Sequence, residues 1–205
     1  MKKTMIAVAC AAGLLCLASC NDNAGSDNQA TDTTGSATVA ATDSTITDKN
    51  KELLAFAARN NMLQVELGKL AAAQGATDQV KAYGQDLVDW YTAKQEELQE
   101  LAQQYGVTLP QQLEDEQTEH LNDLKEAKPE DFNKAYWDNV TDAQEEAIDE
   151  LEDNLKDVDE ASATTFSLWA RNALKELRAQ YEQAKANEVD LKNEDAGISE
   201  SINQE

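Results

Sequence analysis

The sequence predicts an all-α fold, an up-down bundle of four long helices with a short extra helix in the crossover between the second and the third. From residue 48 onward, apolar residues recur at spacings of three and four, which is the period of an amphipathic helix. The chain contains only two prolines and eight glycines in 205 residues, so few positions interrupt that period. The connections after the first and the third long helices are short, which makes the helices that they join antiparallel neighbours.

The ends of the helices are predicted from capping residues and helix breakers. Thr47 or Asp48 is the expected N-cap of the first helix, and Gly75 stops that helix. Thr77 is the expected N-cap of the second helix, and Gly106 follows its end, where a left-handed residue fits. The predicted bounds, in chain order, are residues 49–74, 78–105, 111–126, 129–157 and 164–187.

The one longer connection follows the second helix. It begins with "GVTLP" at residues 106–110 and continues into a short segment that carries Leu113, Leu121 and Leu124 on one side. Pro129 then opens the third long helix, because proline is tolerated in a first helical turn. Ferritin-like bundles have one long crossover in the same place, so the predicted architecture is ferritin-like.

A secretory signal is predicted over residues 1–19. Lys2 and Lys3 are followed by an apolar run at residues 5–18 and then by "LASC", which ends at Cys20. The apolar run is too short to cross a hydrocarbon core, which needs about 20 residues. The "LASC" motif resembles the lipobox of bacterial lipoproteins, and the resemblance implies cleavage before Cys20 and acylation of that residue, for example with palmitate.

The lipid on Cys20 would tether the protein to a membrane of the bacterial cell envelope. Asn21 stands where some bacteria use an aspartate to retain lipoproteins at the inner membrane, which favours the outer membrane. Residues 20–48 have too little apolar surface to offset their ordering entropy, so a disordered linker is predicted after the acylated cysteine. Residues 49–187 form the predicted helical domain, and residues 188–205 a disordered acidic tail.

Charge and composition exclude several function classes. The formal net charge is −23 at pH 7, so nucleic acid is not an expected partner. The glycines are scattered and form no phosphate-binding loop, and the chain has a single histidine, His120, which is expected on the surface. The acidic run at residues 145–160 lacks the spacing of a calcium-binding loop and is interpreted as a solvated helix face. No catalytic residue, cofactor or metal ligand is predicted.

Each long helix carries one neutral polar or phenolic residue on its apolar stripe. These four inward positions are Gln64, Tyr91, Gln144 and Gln180. Burial of such groups is costly unless they form hydrogen bonds. They are therefore expected either to bond to one another across the centre of the bundle, for example Tyr91 to Gln144 or Gln180, or to lie at its edges in contact with water.

Four motifs in order resemble a known family. "ELGKLA", "VKAYGQDLV", "GVTLP" and "FNKAYWDNV" are similar to segments of uncharacterised ferritin-like envelope proteins of bacteria, a domain of unknown function often labelled as an outer membrane protein. The similarity covers about residues 53–183. It implies export and a four-helix bundle whose helices carry a glutamate and several histidines directed inward, similar to a metal or redox site, with no established activity.

This chain departs from that pattern at the inward positions. Gln64 stands where the family tends to have glutamate, and Trp90 replaces an acid. The positions where the family tends to have histidine are Tyr91, Gln144 and Gln180. A di-iron carboxylate bundle needs glutamates and Glu-x-x-His pairs, so the resemblance does not carry a metal site to this chain.

Three hypotheses for function follow. The favoured one is a non-enzymatic, membrane-tethered envelope lipoprotein whose helical bundle binds or spaces another envelope component. Trp90 and Trp137 are expected at the edge of the core and are candidates for the contact face. The alternatives are a ferritin-like metal-binding or redox and stress protein, and a carrier that holds a small molecule or peptide at the centre of the bundle.

Overall fold

A computed structural model describes residues 46–159, 162 and 164–195. The predicted signal, the acylation site Cys20 and nearly all of the predicted linker lie outside these residues. Within them the regular structure is entirely helical, which confirms the predicted all-α class. The helices are α1 (Asp48–Gln74), α2 (Asp78–Gln104), α3 (Asp115–Glu126), α4 (Pro129–Leu155) and α5 (Thr165–Asp195). No helix among them has an apolar stretch long enough to cross a bilayer.

The caps of α1 and α2 follow the sequence. Thr47 is the N-cap of α1, where its Oγ1 accepts a hydrogen bond of 3.2 Å from a backbone N–H three residues on, and Asp48 is the first helical residue. Thr77 caps α2 in the same way, also at 3.2 Å. Gly75 follows α1, and Gly106 after α2 has a φ of 64°, the left-handed conformation predicted for it.

The short helix α3 begins later than predicted. The expected start was residue 111, but α3 starts at Asp115, with Glu114 as its N-cap. The Glu114 side chain bonds the N–H of Gln117, while the Gln117 side chain bonds the N–H of Glu114 at 3.2 Å. This capping box satisfies two N–H groups that would otherwise lack partners at the start of the helix, which explains why the helix begins there.

The last helix runs beyond its predicted end at residue 187. Glu188 is largely buried, and its carboxylate pairs with Lys185 and Lys192, one turn away on either side. Leu191 packs against the core in the same turn. These contacts extend α5 to Asp195, so the first part of the predicted acidic tail is helical; residues 196–205 lie outside the described residues.

The helix α1 lies antiparallel to both α2 and α4. Near the start of α1, the Asn50 Oδ1 accepts a hydrogen bond of 3.2 Å from Asn154 at the end of α4. Near its middle, Gln64 Nε2 donates to the Val140 carbonyl at 3.2 Å. Residue numbers thus fall along α4 as they rise along α1. The short connection between α1 and α2 gives the second antiparallel pair, which has the most extensive contact of any two helices.

The helix α5 lies antiparallel to α2 and α4. Gln79 at the start of α2 donates to Asn187 near the end of α5 at 3.1 Å, and Lys94 lies 2.8 Å from Glu176. Between α4 and α5, Arg178 contacts Glu152 at 2.7 Å. Each of the four long helices therefore has two antiparallel neighbours.

The hydrophobic core lies between these helices. Its largest fully buried side chains include Leu54, Leu67, Leu87, Tyr91, Leu98, Phe132, Tyr136, Trp137 and Val140. The prediction that Trp137 lies at the core edge is wrong, because its side chain is only 1% exposed. Trp90 is half-buried at the edge, as expected. Gln180 is also half-buried, so the fourth inward polar position does not reach the interior.

Candidate functional site

Three of the four predicted inward polar residues meet inside the protein. Gln64, Tyr91 and Gln144 come from α1, α2 and α4 and are at most 1% exposed. Two further tyrosines, Tyr83 and Tyr136, are buried beside them. We call this group, together with Trp137, the polar centre.

The polar centre makes few hydrogen bonds within the protein. Gln64 Nε2 donates to the Val140 carbonyl. Its buried polar atoms without a partner in the described part of the chain are Gln64 Oε1, both amide atoms of Gln144, Trp137 Nε1 and the hydroxyls of Tyr83, Tyr91 and Tyr136. The Gln144 amide lies near the hydroxyls of Tyr83 and Tyr91, but neither contact has the distance and angle of a hydrogen bond. The predicted bond from Tyr91 to Gln144 or Gln180 is therefore not formed.

The groups of the polar centre stay neutral near pH 7. Burial raises the pKa of Tyr83 to about 12, and the nearby Gln144 amide only partly opposes that shift. Burial raises the pKa of Tyr91 and of Tyr136 further still. Amide side chains do not titrate. The polar centre consequently holds no group that exchanges a proton near neutral pH, as general acid–base catalysis would require.

The same groups do not fit the metal site that the family resemblance implies. A di-iron bundle site is built from inward glutamates and histidines, whereas this one contains amides and protonated phenols. Across the residues that the structure describes, no three His, Cys, Asp or Glu side chains lie together in a way that could hold a metal ion.

Aromatic packing adds two residues that the sequence reasoning did not place in the centre. The rings of Tyr83 and Trp137 lie 4.8 Å apart between centroids, and those of Tyr136 and Trp137 lie 5.0 Å apart. Tyr83 follows Val80 by three and precedes Leu87 by four, which is the spacing of the α2 apolar stripe. That spacing was a signal from which its burial could have been predicted.

A second candidate site is a cleft of about 50 Å³ between all four long helices, which we call the apolar cleft. It lies toward the end of the domain where α1 and α5 begin. Its lining residues are Leu53, Phe56, Ala57, Asn60, Asn61, Trp90, Tyr91, Lys94, Leu98, Ala147, Leu151, Trp169, Ala173 and Leu177. Most are apolar, and three helices contribute an alanine.

Lys94 provides the single charged side chain in the lining of the apolar cleft. Its Nζ lies 5.6 Å from the centre of the Trp90 ring, within the range of a cation–π contact. The same atom lies 2.9 Å from Glu97 and 2.8 Å from Glu176. The positive charge is thus compensated by two carboxylates.

A third feature is an acidic groove of about 580 Å³ between α1, α3 and α4. Its acidic lining residues are Glu114, Glu116, Asp123, Asp138, Asp142 and Glu146. His120 lies exposed in this groove, which confirms its predicted surface position. Arg59 pairs with Glu114 at 3.1 Å. Partial burial raises the pKa of Glu146 and is the largest cause of the shift. The negative charges of Glu150 and other nearby acids raise this pKa further.

Comparison with known proteins gives a family but no activity. No curated protein and no solved structure matches this chain. A family model described as a domain of unknown function, DUF4142, matches residues 35–186, well over half of the chain, and spans α1 to α4 and most of α5. This chain therefore belongs to the DUF4142 family of domains of unknown function.

Proposed function

We propose that this protein is a non-enzymatic, lipid-anchored component of the bacterial cell envelope whose helical domain binds or spaces another component. The observation that carries the proposal is the neutrality of the polar centre. Its amides and its phenols, whose pKa values are raised by burial, supply neither a base nor an acid near pH 7. Such a centre supports a role in binding or structure rather than in proton-transfer chemistry.

The directions of the helices support a ferritin-like arrangement of this domain. Both α2 and α4 lie antiparallel to α1, so they run in the same direction. The connection from the end of α2 to the start of α4 must therefore return along the length of the domain. The helix α3 lies in that connection and contacts α1 and α4 on the way. One long crossover between the second and third long helices is the ferritin-like topology.

The anchor part of the proposal rests on the sequence around Cys20. The linker predicted from the sequence between Cys20 and the start of α1 covers residues 21–47, and a random coil of 27 residues has a mean reach of roughly 30 Å. A lipid on Cys20 would therefore hold the domain within a few nanometres of the membrane. Several acyl chains, as the lipobox resemblance implies, would make that attachment durable, since one chain alone binds only marginally.

Metabolic labelling with an alkyne analogue of palmitate tests the anchor. The wild-type chain should incorporate the label and remain in the membrane fraction, and Cys20→Ser should lose both properties. Cys16→Ser is a matched control, because Cys16 lies in the segment that cleavage would remove. Equal labelling of the wild type and the Cys20→Ser variant would contradict the anchor.

Photo-crosslinking in cells tests the binding role. A photoreactive amino acid is placed at exposed positions on two helices, Asp149 of α4 and Leu168 of α5. A specific envelope partner should be captured from at least one of these faces, and capture should weaken when Cys20→Ser releases the domain from the membrane. The absence of any specific product from either face would contradict a role in binding another component.

A further inference from the structure

The apolar cleft exists because small side chains from three helices lie at the same level. Ala57 of α1, Ala147 of α4 and Ala173 of α5 all line it. The larger side chains of Trp90 and Trp169 also line the cleft, and both are only partly buried. The helices are therefore held apart at a level where short side chains leave the space between them unfilled.

One polar side chain in this cleft stands out. Asn60 is only 5% exposed, and its side chain makes no hydrogen bond with any residue in the described part of the chain. The adjacent Asn61, by contrast, donates to Gln95 Oε1 at 3.1 Å. The polar atoms of Asn60 are not among the fully buried ones, so water can bond to them, and a ligand oxygen in the cleft could take the place of that water. Asn60 thus provides both a donor and an acceptor in a space lined mostly by apolar side chains.

We propose that the apolar cleft binds a compact, neutral, single-ring molecule that carries one hydrogen-bonding oxygen, with the ring among the apolar side chains and the oxygen at the Asn60 amide. The inference rests on the binding role proposed above and gives it a ligand class. A volume of about 50 Å³ is far below the roughly 300–1,000 Å³ of sites for drug-sized ligands and below the roughly 150 Å³ that encloses a benzene ring, so only one edge of the ring enters this open cleft.

Charge favours a neutral ligand over an anion. Lys94 is the cation that lines the cleft, and Glu97 and Glu176 already compensate it. The formal net charge of the whole chain, −23, repels anions further. A cation would find no carboxylate among the lining residues. The aromatic side chains and the amide remain as the groups that select the ligand.

The test compares phenol with toluene, which has the same ring but a methyl group in place of the hydroxyl. The full chain carrying Cys20→Ser is titrated with each probe, and binding is followed by tryptophan emission excited at 295 nm. Two of the three tryptophans, Trp90 and Trp169, line the cleft. Phenol should bind about tenfold more tightly than toluene, the gain expected from one hydrogen bond. Asn60→Leu should remove that preference.

Filling the cleft is the second arm of the experiment. Ala173→Leu should abolish the binding of both probes, and Ala147→Val serves as a second filling variant in case the first does not fold. The matched control is Ala179→Leu, an exposed position on the same helix, which should bind both probes like the wild type.

Two results would overturn the inference: equal affinity of the wild type for phenol and toluene, or phenol binding that survives filling of the cleft. If neither probe binds while a specific partner is still captured in cells, the ligand class proposed for the cleft is wrong and the proposed binding function stands. Loss of capture together with intact phenol binding would reject the proposed partner role instead.

Discussion

Small residues have opposite effects in two regions of the core. Where α1 and α2 cross, Gly68 and Gly84 let the two backbones come into contact: a Cβ atom at Gly84 would lie 2.6 Å from the Ala71 Cβ and 2.7 Å from the Gly68 carbonyl oxygen. In the apolar cleft, Ala57, Ala147 and Ala173 face a space of about 50 Å³ instead. Small residues thus bring the helices into contact in one region and leave a space between them in the other.

The difference lies in what sets the distance between the helices. At the glycine contact, the backbones themselves are in contact, and no side chain holds them apart. At the cleft, large side chains such as Leu98, Trp90 and Trp169 surround the space. Unfilled space between packed helices lowers the stability of the fold unless a ligand occupies it. Adding carbon atoms to the two regions should therefore change stability in opposite directions.

The largest expected effect is that of Gly84→Ala. The added methyl group meets the Gly68 backbone, which cannot move without separating α1 from α2. Overpacking of this kind costs about 1–3 kcal/mol, and the clash with backbone favours the upper half of that range. Urea unfolding of the wild type and the variant measures the loss. A variant as stable as the wild type would show that the two helices are not in the close contact described.

The opposite sign is expected for Ala173→Leu. Leucine would place added apolar carbon atoms in the cleft, and substitutions that fill such a space commonly stabilise a protein by about 0.5–2 kcal/mol; the lower part of that range is expected because the cleft is open on one side. The control Ala179→Leu, at an exposed position, should change the free energy of unfolding by less than about 0.5 kcal/mol. Destabilisation by Ala173→Leu of the size expected for Gly84→Ala would mean that there is no unfilled space beside Ala173.

A pair of Tyr→Phe substitutions compares a buried hydroxyl that has no hydrogen bond with a hydroxyl that has one. The Tyr91 hydroxyl is buried without a partner, so Tyr91→Phe should raise the free energy of unfolding by about 1 kcal/mol. The Tyr105 hydroxyl accepts a hydrogen bond of 3.1 Å from the Phe166 N–H, so Tyr105→Phe should lower it by about 1 kcal/mol. Chemical denaturation of both variants provides the measurement. A loss from Tyr91→Phe would indicate that the phenol is hydrogen-bonded in solution.

The smallest expected effect lies outside both regions, at Glu146 in the acidic groove. Its pKa is raised by burial and by neighbouring acids, so the folded state is destabilised when this carboxyl is ionised. Glu146→Gln should therefore raise the melting temperature slightly at pH 7, corresponding to at most about 0.5 kcal/mol. The gain should vanish as the pH falls below the ordinary value of 4.5, where the wild-type carboxyl is protonated as well. A gain that is independent of pH would point to another cause.

Local signals in the sequence were sufficient for most of the helix bounds. Capping by Thr47 and Thr77, and the left-handed Gly106, depend on residues within one turn, so they could be predicted. The extension of α5 was missed because it depends on the burial of Glu188 between two lysines. The composition of this segment is acidic, which by itself indicates an exposed tail.

The candidate sites depended more on tertiary packing. Gln64 and Gln144 were correctly predicted to face inward from periodicity. Trp137 was misplaced because α4 packs against both α1 and α5, so its buried arc is wider than one apolar stripe. The apolar cleft was not predictable, since a space of this size depends on the distances between four helices. The spacing of apolar residues in the sequence shows which side of a helix faces inward, but it does not give those distances.

The most direct test of ligand binding in the apolar cleft is an NMR measurement of where a single-ring probe lies. The full chain carrying Cys20→Ser is saturated with phenol, and nuclear Overhauser effects are recorded between the ring protons and the methyl groups of the protein. A ring bound in the cleft should show contacts to the methyl groups of Ala147 and Ala173, both of which line the cleft, and none to the exposed Ala179. Contacts confined to exposed methyl groups, with none to Ala147 or Ala173, would contradict binding in the apolar cleft.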